Sequence, residues 1–253
     1  MENNCGKISI VGIGPGNISE LTPKARVLID AAEVIVGYKT YIELIGEIIG
    51  GKKILASGMR QEIQRAQIAI DEAQKKLNVA VISSGDAGVY GMAGLILEMI
   101  LNLPENLQPK FEIAAGVSAL NSAAAILGAP LMHDFAVISL SDWLTSLEVI
   151  KKRVALAAEG DFVIALFNPK SKSRATYIDD VQKILLEYRA ENTPVGIVTN
   201  AGRIDEKKII STLKNFTGEE INMFTLVLIG NSKTFVKSNF MITPRGYKIE
   251  NFS

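Results

Sequence analysis

Apolar residues in the first part of the chain form two alternating patterns, short continuous runs and runs with helical spacing. The continuous runs, rich in β-branched residues, predict buried strands, at residues 7–11, 34–36, 53–55, 79–83 and 111–114. Four helices are predicted between these strands. The first starts at Pro23 with Thr22 as its cap, the second covers 41–49, and the fourth follows the strand at 79–83 and ends at about Leu103. The third is indicated by the helical spacing of Ile63, Ala66, Ile70, Ala73 and Leu77. Strict alternation of strand and helix predicts a parallel sheet with helices on its faces.

The second part of the chain starts with the same alternation and ends differently. Its helices are predicted over 119–127, from a capping box of Thr145 and Glu148 to about Ala158, and over 173–190. Its strands are predicted at 135–140, 161–167, 195–199, 208–213 and 224–229. The last strands follow one another without a helix, so this sheet is expected to be mixed. We therefore expect an α/β protein of two α/β domains, 1–116 with a parallel sheet and 117–253 with a mixed one.

Composition narrows the class of protein. The 253 residues suffice for one large or two ordinary α/β domains, and their formal net charge of zero argues against a general nucleic-acid binder or a tail for acidic membranes. Cys5 and His133 are the only cysteine and histidine, which excludes a disulfide framework and the usual protein-held metal sites and fits a reducing cytoplasm. We recognise no signal peptide, and the uncharged stretch 114–132 is too weakly apolar to span a membrane.

A glycine-rich loop after the predicted fourth strand is the main candidate for a ligand site. Gly85, Gly88 and Gly91 allow the backbone to approach a ligand closely or to adopt positive φ. Asp86 lies in the same loop, and its carboxylate can accept hydrogen bonds from ribose hydroxyls or an ammonium group. Open α/β sheets bind ligands at this edge. The alternative is a plain helix entry in which Asp86 caps the next helix.

A second glycine-rich turn, residues 12–16, follows the first strand. A dinucleotide-binding fingerprint would need a third glycine at position 17, where Asn17 stands, and an acidic residue at the end of the second strand, which ends in Gly37. No Gly-Lys-Ser or Gly-Lys-Thr follows either, so a phosphate-binding P-loop is excluded. A tight turn at a sheet edge and a loop that forms a wall over a ligand both stay open.

Three segments together resemble the tetrapyrrole (corrin/porphyrin) methylase family. They are Gly12-x-Gly-Pro-Gly, Gly85-Asp86 with Tyr90, and Gly116-Val117-Ser118-Ala119. Further segments, at 37–41, 84–92, 133–142, 166–174 and 200–203, resemble the branch that methylates C17 of precorrin-3B or cobalt-factor III, so that the resemblance covers essentially the whole chain. Ala115 departs from the family, which usually has proline there, and Ala87 departs from the Gly-Asp-Pro of many members.

The resemblance implies a cofactor, S-adenosylmethionine, which leaves as S-adenosylhomocysteine and lies in a ligand cleft between the two domains. The residues implied to hold it are Pro15, Ser84, Gly85, Asp86, Val89, Tyr90, Ser118, Ala119, Phe167, Asn168, Ala201 and Gly202. Family members are usually homodimers, so a homodimer is expected.

The implied reaction has two chemical requirements. Methyl transfer to a ring carbon needs alignment more than a base, whereas the coupled contraction of the macrocycle moves protons, so a general acid or base is expected. His133 and Asp142 are the candidates. The alternatives are a His133 bonded to loop backbone and an Asp142 that caps a helix near Leu144. The polycarboxylate substrate calls for cations, and the candidates are Lys39, Arg60, Lys170, Lys172, Arg174 and Arg203.

The sequence therefore favours a methylase of a corrin precursor that acts at C17. A sister methylase that acts at another ring carbon would share the cofactor site. A non-enzymatic protein that binds adenine ligands is the alternative from a different class, and it would not need the cations. If a metal such as cobalt takes part, we expect the tetrapyrrole to carry it rather than protein ligands.

Overall fold

The computed structural model describes residues 5–171 and 174–248. The chain divides between Ala119 and Leu120 into two compact units. Each unit has its own sheet and its own buried core, and the two are described separately.

The first unit is a five-stranded parallel sheet covered by helices. Its elements in chain order are β1 (Lys7–Gly12), α1 (Pro23–Ala31), β2 (Val34–Tyr38), α2 (Lys39–Glu43), β3 (Lys53–Ser57), α3 (Glu62–Gln74), β4 (Val79–Ser83), α4 (Ala93–Leu101) and β5 (Lys110–Ala114), with short 3-10 helices at Ile18–Glu20, Gly46–Ile48 and Glu105–Leu107. The strand order is β3-β2-β4-β1-β5, and every pair is parallel. The prediction of a parallel sheet is confirmed.

Burial explains why the strand signals of the first unit are so clear. All five residues of β4 are buried, because helices cover both faces of the sheet. Thr22 caps α1 as predicted, since its Oγ1 accepts a hydrogen bond from the Ala25 amide at 3.2 Å. The prediction for α3 was wrong at both ends. Ile63 lies 69% exposed and burial in this helix begins at Arg65, and the helix ends at Gln74, before Leu77.

The order of the strands creates a crevice at one edge of this sheet. The chain leaves β1 towards β2, on the far side of β4, and leaves β4 towards β5, on the far side of β1. Two neighbouring strands whose connections run in opposite directions form a topological switch point, where open α/β sheets bind ligands. Gly12 ends β1 and Ser83 ends β4, so both predicted glycine loops begin at this point.

The second unit has a mixed five-stranded sheet and a small three-stranded one. Its elements are α5 (Ala119–Leu127, whose first residue belongs to the first unit), β6 (Gly128–Ala129), β7 (Phe135–Ser139), α6 (Leu147–Glu159), β8 (Val163–Phe167), α7 (Tyr177–Leu186), β9 (Pro194–Thr199), β10 (Lys207–Thr212), a 3-10 helix at Phe216–Gly218, β11 (Thr225–Ile229), β12 (Phe235–Lys237) and β13 (Phe240–Ile242). The large sheet has the order β10-β9-β11-β8-β7 and the small one β12-β13-β6. The mixed sheet was predicted, and the small sheet was missed.

Strand direction in the large sheet brings several loops to one edge. β7 and β8 are parallel, and β11 is antiparallel to both β8 and β9. The carboxyl ends of β7, β8 and β9 therefore lie at the same edge, and the strands deliver Ser139, Phe167 and Thr199 there.

Two helix boundaries of the second unit differ from the prediction. Ser146 caps α6 through a hydrogen bond from the Val149 amide to its Oγ, so the proposed capping box at Thr145 was wrong, as was the alternative in which Asp142 caps this helix. α7 begins only at Tyr177, and Ser173, where its start was predicted, lies outside the described residues. Within the described part of the chain, no helix is long and apolar enough to cross a membrane.

Candidate active site

At the switch-point edge of the first unit, glycines allow neighbouring loops to contact each other directly through their backbones. Gly14 and Gly85 exchange two hydrogen bonds, from the Gly14 amide to the Gly85 carbonyl at 3.1 Å and from the Gly85 amide to the Gly14 carbonyl at 2.7 Å. A Cβ on Gly116 would lie 2.2 Å from the Gly85 carbonyl oxygen, and one on Gly12 would lie 2.7 Å from the same atom. Only residues without a side chain allow this approach. We call Gly12, Gly14, Gly85, Asp86 and Gly116 the glycine edge.

Asp86 is the charged residue of the glycine edge, and it holds two loops together. Its Oδ1 accepts a hydrogen bond from the Gly88 amide at 2.8 Å, and its Oδ2 accepts one from the Gly116 amide at 3.0 Å. The alternative in which Asp86 caps α4 is wrong, because Met92 occupies the N-cap position without a side-chain bond. Among the described residues, Asp86 forms no ion pair.

Five backbone amides of these loops are already engaged. Besides the four glycine amides named above, the Ile13 amide donates to the Ser83 carbonyl at 2.9 Å. Phosphate-binding loops need such amides free and a positive local field. The glycine edge instead offers engaged amides and a carboxylate that forms no ion pair among the described residues. It therefore favours a cationic ligand over a phosphorylated one.

The other cofactor and substrate candidates of the first unit lie around the same edge. A Cβ at Gly85 would be 3.7 Å from both the Ser118 Cα and the Ala119 amide nitrogen, so these residues adjoin the glycine edge. Pro15 is buried, Ser84 is half-buried, and Val89 and Tyr90 are exposed, with Tyr90 at φ 53°. Exposed Lys39 begins α2 directly after β2, and exposed Arg60, at φ 62°, follows β3. Since all strands of this sheet are parallel, both cations lie at its carboxyl edge.

The carboxyl edge of the second unit is built around asparagines. Asn168 follows β8 and Asn200 follows β9, with φ of 52° and 54°. Asparagine is among the few side chains that tolerate this conformation. The Asn168 Nδ2 donates to the Ser139 Oγ at 3.0 Å, which links the ends of β8 and β7.

The remaining candidates of this edge follow the same two strands. Phe167 is half-buried at the end of β8, and Ala201 is buried. Gly202 has φ 70° and donates its amide to the Glu206 Oε2 at 2.8 Å. The Arg203 guanidinium lies 5.6 Å from the centroid of the Phe224 ring, in a cation–π contact.

A side-chain cluster at this edge contains a residue that sequence analysis missed. The Tyr177 hydroxyl donates to the Asp142 Oδ2 at 2.7 Å, and the Arg174 Nε lies 3.9 Å from the Asp142 Oδ1. The hydrogen bond to the carboxylate raises the pKa of Tyr177, because it favours the neutral phenol. No signal in the sequence links two residues that lie 35 positions apart.

The predicted substrate cations of the second unit have different surroundings. The Arg174 Nη1 donates to the Leu140 carbonyl at 3.0 Å and its Nε to the Ser171 Oγ at 3.1 Å, and the side chain is only 14% exposed. Arg174 therefore fastens the loops after β7 and β8. Lys170 is half-buried in the loop after β8, and Lys172 lies outside the described residues.

The structure does not bring the two catalytic candidates together. His133 precedes β7 whereas Asp142 follows it, and the five residues of this strand separate them by about 16 Å. The His133 Nδ1 accepts a hydrogen bond from the Asp134 amide at 2.9 Å, as the alternative interpretation expected. Within residues 5–171 and 174–248, no group of three or more His, Cys, Asp or Glu side chains could hold a metal ion.

Fold and site together define an α/β protein whose first unit is a parallel sheet with a ligand edge at its switch point. Comparison with known proteins gives the family. Residues 7–217 match the family model described as Tetrapyrrole (Corrin/Porphyrin) Methylases. The chain belongs to this family, as the resemblance implied.

Relatives in sequence agree with that membership. A Priestia megaterium protein named cobalt-factor III methyltransferase is 47% identical over 245 residues, which are 96% of this chain and 45% of the relative. The chain thus spans less than half of that protein. A Salmonella typhimurium protein named probable cobalt-factor III C(17)-methyltransferase is 46% identical over 96% of this chain and 100% of its own length. The crystal structure of the methyltransferase CobJ superimposes with a TM-score of 0.89 and 34% identity, over 94% of this chain and all of that chain.

Proposed function

We propose that this protein is an S-adenosylmethionine-dependent methyltransferase of cobalamin biosynthesis. Its substrate is cobalt-factor III or the metal-free precorrin-3B, which it methylates at C17 with contraction of the macrocycle. The names of the similar proteins support the substrate and the position of the methyl group. The glycine edge carries the proposal, because several of its backbone amides are engaged and its Asp86 carboxylate forms no ion pair among the described residues.

The glycine edge fits the proposed cofactor. S-adenosylmethionine has a positive sulfonium, an ammonium group, one carboxylate and no phosphate, so its net charge is positive. That charge suits a site that offers the Asp86 carboxylate. Gly85, Asp86 and Val89 would hold its methionine and ribose portions, and Ser118 and Ala119 the methionyl end. Both oxygens of Asp86 keep a second lone pair for these groups beyond the two loop amides that they accept. Binding of the adenine side by Phe167, Asn168, Ala201 and Gly202 remains a prediction.

The contribution of the protein to methyl transfer is alignment. S-adenosylmethionine supplies an already activated methyl group, so the transfer itself needs no strong base. An in-line displacement is fast when the reacting atoms are held in place beforehand. Asp86 joins its loop to the next through the hydrogen bond from Gly116 and braces its own loop through the one from Gly88, and the paired bonds of Gly14 and Gly85 join a further loop.

Cations at the carboxyl edges suit a polycarboxylate substrate. Lys39 and Arg60 lie at the edge of the first sheet, and Lys170 and Arg203 at that of the second. Arginine can bind a carboxylate with two parallel hydrogen bonds. We include Lys172 on the resemblance alone, and we assign Arg174 to the loop contacts described above.

We further propose that the protein acts in the cytoplasm as a homodimer. Its single cysteine is compatible with a reducing compartment. Sedimentation of the purified protein tests the dimer, and a single monomeric species over the micromolar range would contradict it.

The deciding experiment is an anaerobic incubation with S-adenosylmethionine and either cobalt-factor III or precorrin-3B, followed by mass and absorbance. We expect a gain of one methyl group and the spectrum of a contracted ring. Turnover of only one substrate identifies which form is used. Tight cofactor binding without methylation of either substrate would point to a sister methylase for another ring carbon. Absence of cofactor binding would refute the assignment of the glycine edge.

A further inference from the structure

The loops after β7 and β8 and the start of α7 are fastened together around one carboxylate. The Leu140 amide donates to the Phe167 carbonyl at 2.9 Å, and Arg174 donates to the Leu140 carbonyl at 3.0 Å. Asp142 follows two residues later and receives the Tyr177 hydroxyl from the first residue of α7. Three segments thus fix the position of this carboxylate at the carboxyl edge of the second sheet.

The two oxygens of Asp142 differ in their surroundings. Oδ2 accepts the short hydrogen bond from Tyr177, whereas Oδ1 lies 3.9 Å from the Arg174 Nε, beyond hydrogen-bond distance, and the side chain is 40% exposed. Asp142 is therefore oriented by one oxygen while the other is open to a ligand or to water.

Tyr177 keeps its proton in this arrangement. The charged groups that act on it are Asp142, Arg174 and Glu148. The Asp142 carboxylate at 2.7 Å has the largest effect, so the pKa of Tyr177 is raised above that of an ordinary tyrosine. It therefore serves as a permanent hydrogen-bond donor at neutral pH. Its side chain adds no second base.

We propose that Asp142 accepts the proton released during ring contraction and that Tyr177 is the residue that positions it. This inference rests on the proposed function. In the step, the bond between a substrate atom and its proton breaks, the electron pair stays on the substrate, and the proton binds Asp142 Oδ1. Water then removes the proton, since the side chain is partly exposed. No oxidant or reductant is required, and Tyr177 is unchanged throughout.

The test uses the wild type, Tyr177→Phe, Asp142→Asn and the double variant, with Tyr188→Phe as the matched control. Tyr188 lies just past α7 with an exposed ring and forms no hydrogen bond through its hydroxyl in the described structure. Each protein is assayed anaerobically with cobalt-factor III and S-adenosylmethionine for kcat and KM of the contracted product, and for Tm. Asp142→Asn should lower kcat about 100-fold, the smaller end of what a general base contributes. Tyr177→Phe should lower kcat about tenfold through misplacement, with KM unchanged.

The double variant separates positioning from structural support. Asparagine still accepts a hydrogen bond from Tyr177 but cannot take up a proton. If Tyr177 acts through the proton acceptor, adding Tyr177→Phe to the Asp142→Asn variant does not lower kcat any further. A further tenfold loss there, or an unchanged kcat in either single variant, would overturn the inference while leaving the proposed function intact. An inactive wild type would refute the proposed function itself. If Tyr177→Phe does not fold, the kcat of Asp142→Asn alone decides whether this carboxylate takes the proton.

Discussion

The carboxyl edges of the two sheets are built by different means. In the first unit, glycines bring backbone against backbone, and one carboxylate ties the loops through main-chain amides. In the second unit, side chains make the connections, from Asn168 to Ser139 and from Tyr177 to Asp142. The first edge therefore depends on the absence of a Cβ, and the second on particular functional groups.

This difference sets how each edge responds to substitution. An extra carbon at the glycine edge meets backbone, which cannot rotate out of the way. A side chain lost from the second edge leaves a neighbour without its partner but creates no clash. We therefore expect the largest losses of stability at the glycine edge and graded ones at the other.

Gly116→Ala should have the largest effect. Its Cβ would lie 2.2 Å from the Gly85 carbonyl oxygen and 2.7 Å from the Gly12 carbonyl carbon and oxygen, so the loops must separate. We expect a loss of about 3 kcal/mol in the free energy of unfolding, measured by urea denaturation, and at least tenfold weaker S-adenosylmethionine binding. Gly94→Ala is the control, because Gly94 lies at an exposed position of α4 and its Cβ would meet nothing within 4 Å. It should be neutral or slightly stabilising. Equal stability of the two variants would contradict the backbone-contact account.

Asp86→Asn should lower the free energy of unfolding by less, about 1 to 3 kcal/mol. An amide replaces one of the two acceptor oxygens with a donor, which then faces the Gly88 or the Gly116 amide. Denaturation and calorimetric titration with S-adenosylmethionine measure the two consequences. Asp30→Asn removes an exposed carboxylate whose partner is Arg26 on the same helix, and it should cost about 0.5 kcal/mol at most. If both variants behave alike, Asp86 is a surface charge and does not hold the loops.

The sequence predicted most of the fold because burial leaves a clear pattern. Central strands such as β4 are covered on both faces and appear as continuous apolar runs. The small sheet was missed because β6 has only two residues and gives no periodicity. Its β12–β13 hairpin turns at Ser238 and Asn239, both with positive φ. That dipeptide is a weaker hairpin signal than Asn-Gly.

The candidate site was predictable where local sequence encodes it. Glycines after a strand mark a close approach, so the sequence singles out Gly85, whereas Gly116 is named only by the family resemblance. The contact of Gly116 with Gly85, and the pairing of Tyr177 with Asp142, come from strand order and chain crossing, which spacing does not reveal. His133 stood out as the only imidazole, but strand direction places it at the opposite end of β7 from Asp142.

Asn168 tests whether conformation or side chain matters at the second edge. Asn168→Gly keeps the positive φ of 52° at no steric cost and loses only the hydrogen bond to Ser139. Asn168→Ala loses the same bond and also pays about 1 kcal/mol for the left-handed conformation. We expect the alanine variant to be less stable than the glycine variant by about that amount in urea denaturation. Equal stabilities would mean that the backbone conformation at this position relaxes freely.

The smallest expected effect is spectroscopic and concerns Tyr177. The Asp142 carboxylate disfavours the phenolate, so the raised pKa of Tyr177 means that it ionises after an ordinary tyrosine, whose pKa is 10.0. Its contribution to stability is present below that pH and is lost as the pH rises through the higher folded-state value. In an ultraviolet titration of the protein, Tyr177→Phe should remove a phenolate that forms above the ordinary tyrosine pKa of 10.0. Asp142→Asn should move the same phenolate to lower pH, because the negative charge is gone. Circular dichroism at each pH ensures that the protein is still folded. Identical curves for Asp142→Asn and the wild type would show that the hydrogen bond does not form in solution, and with it the side-chain account of the second edge would lose its central contact.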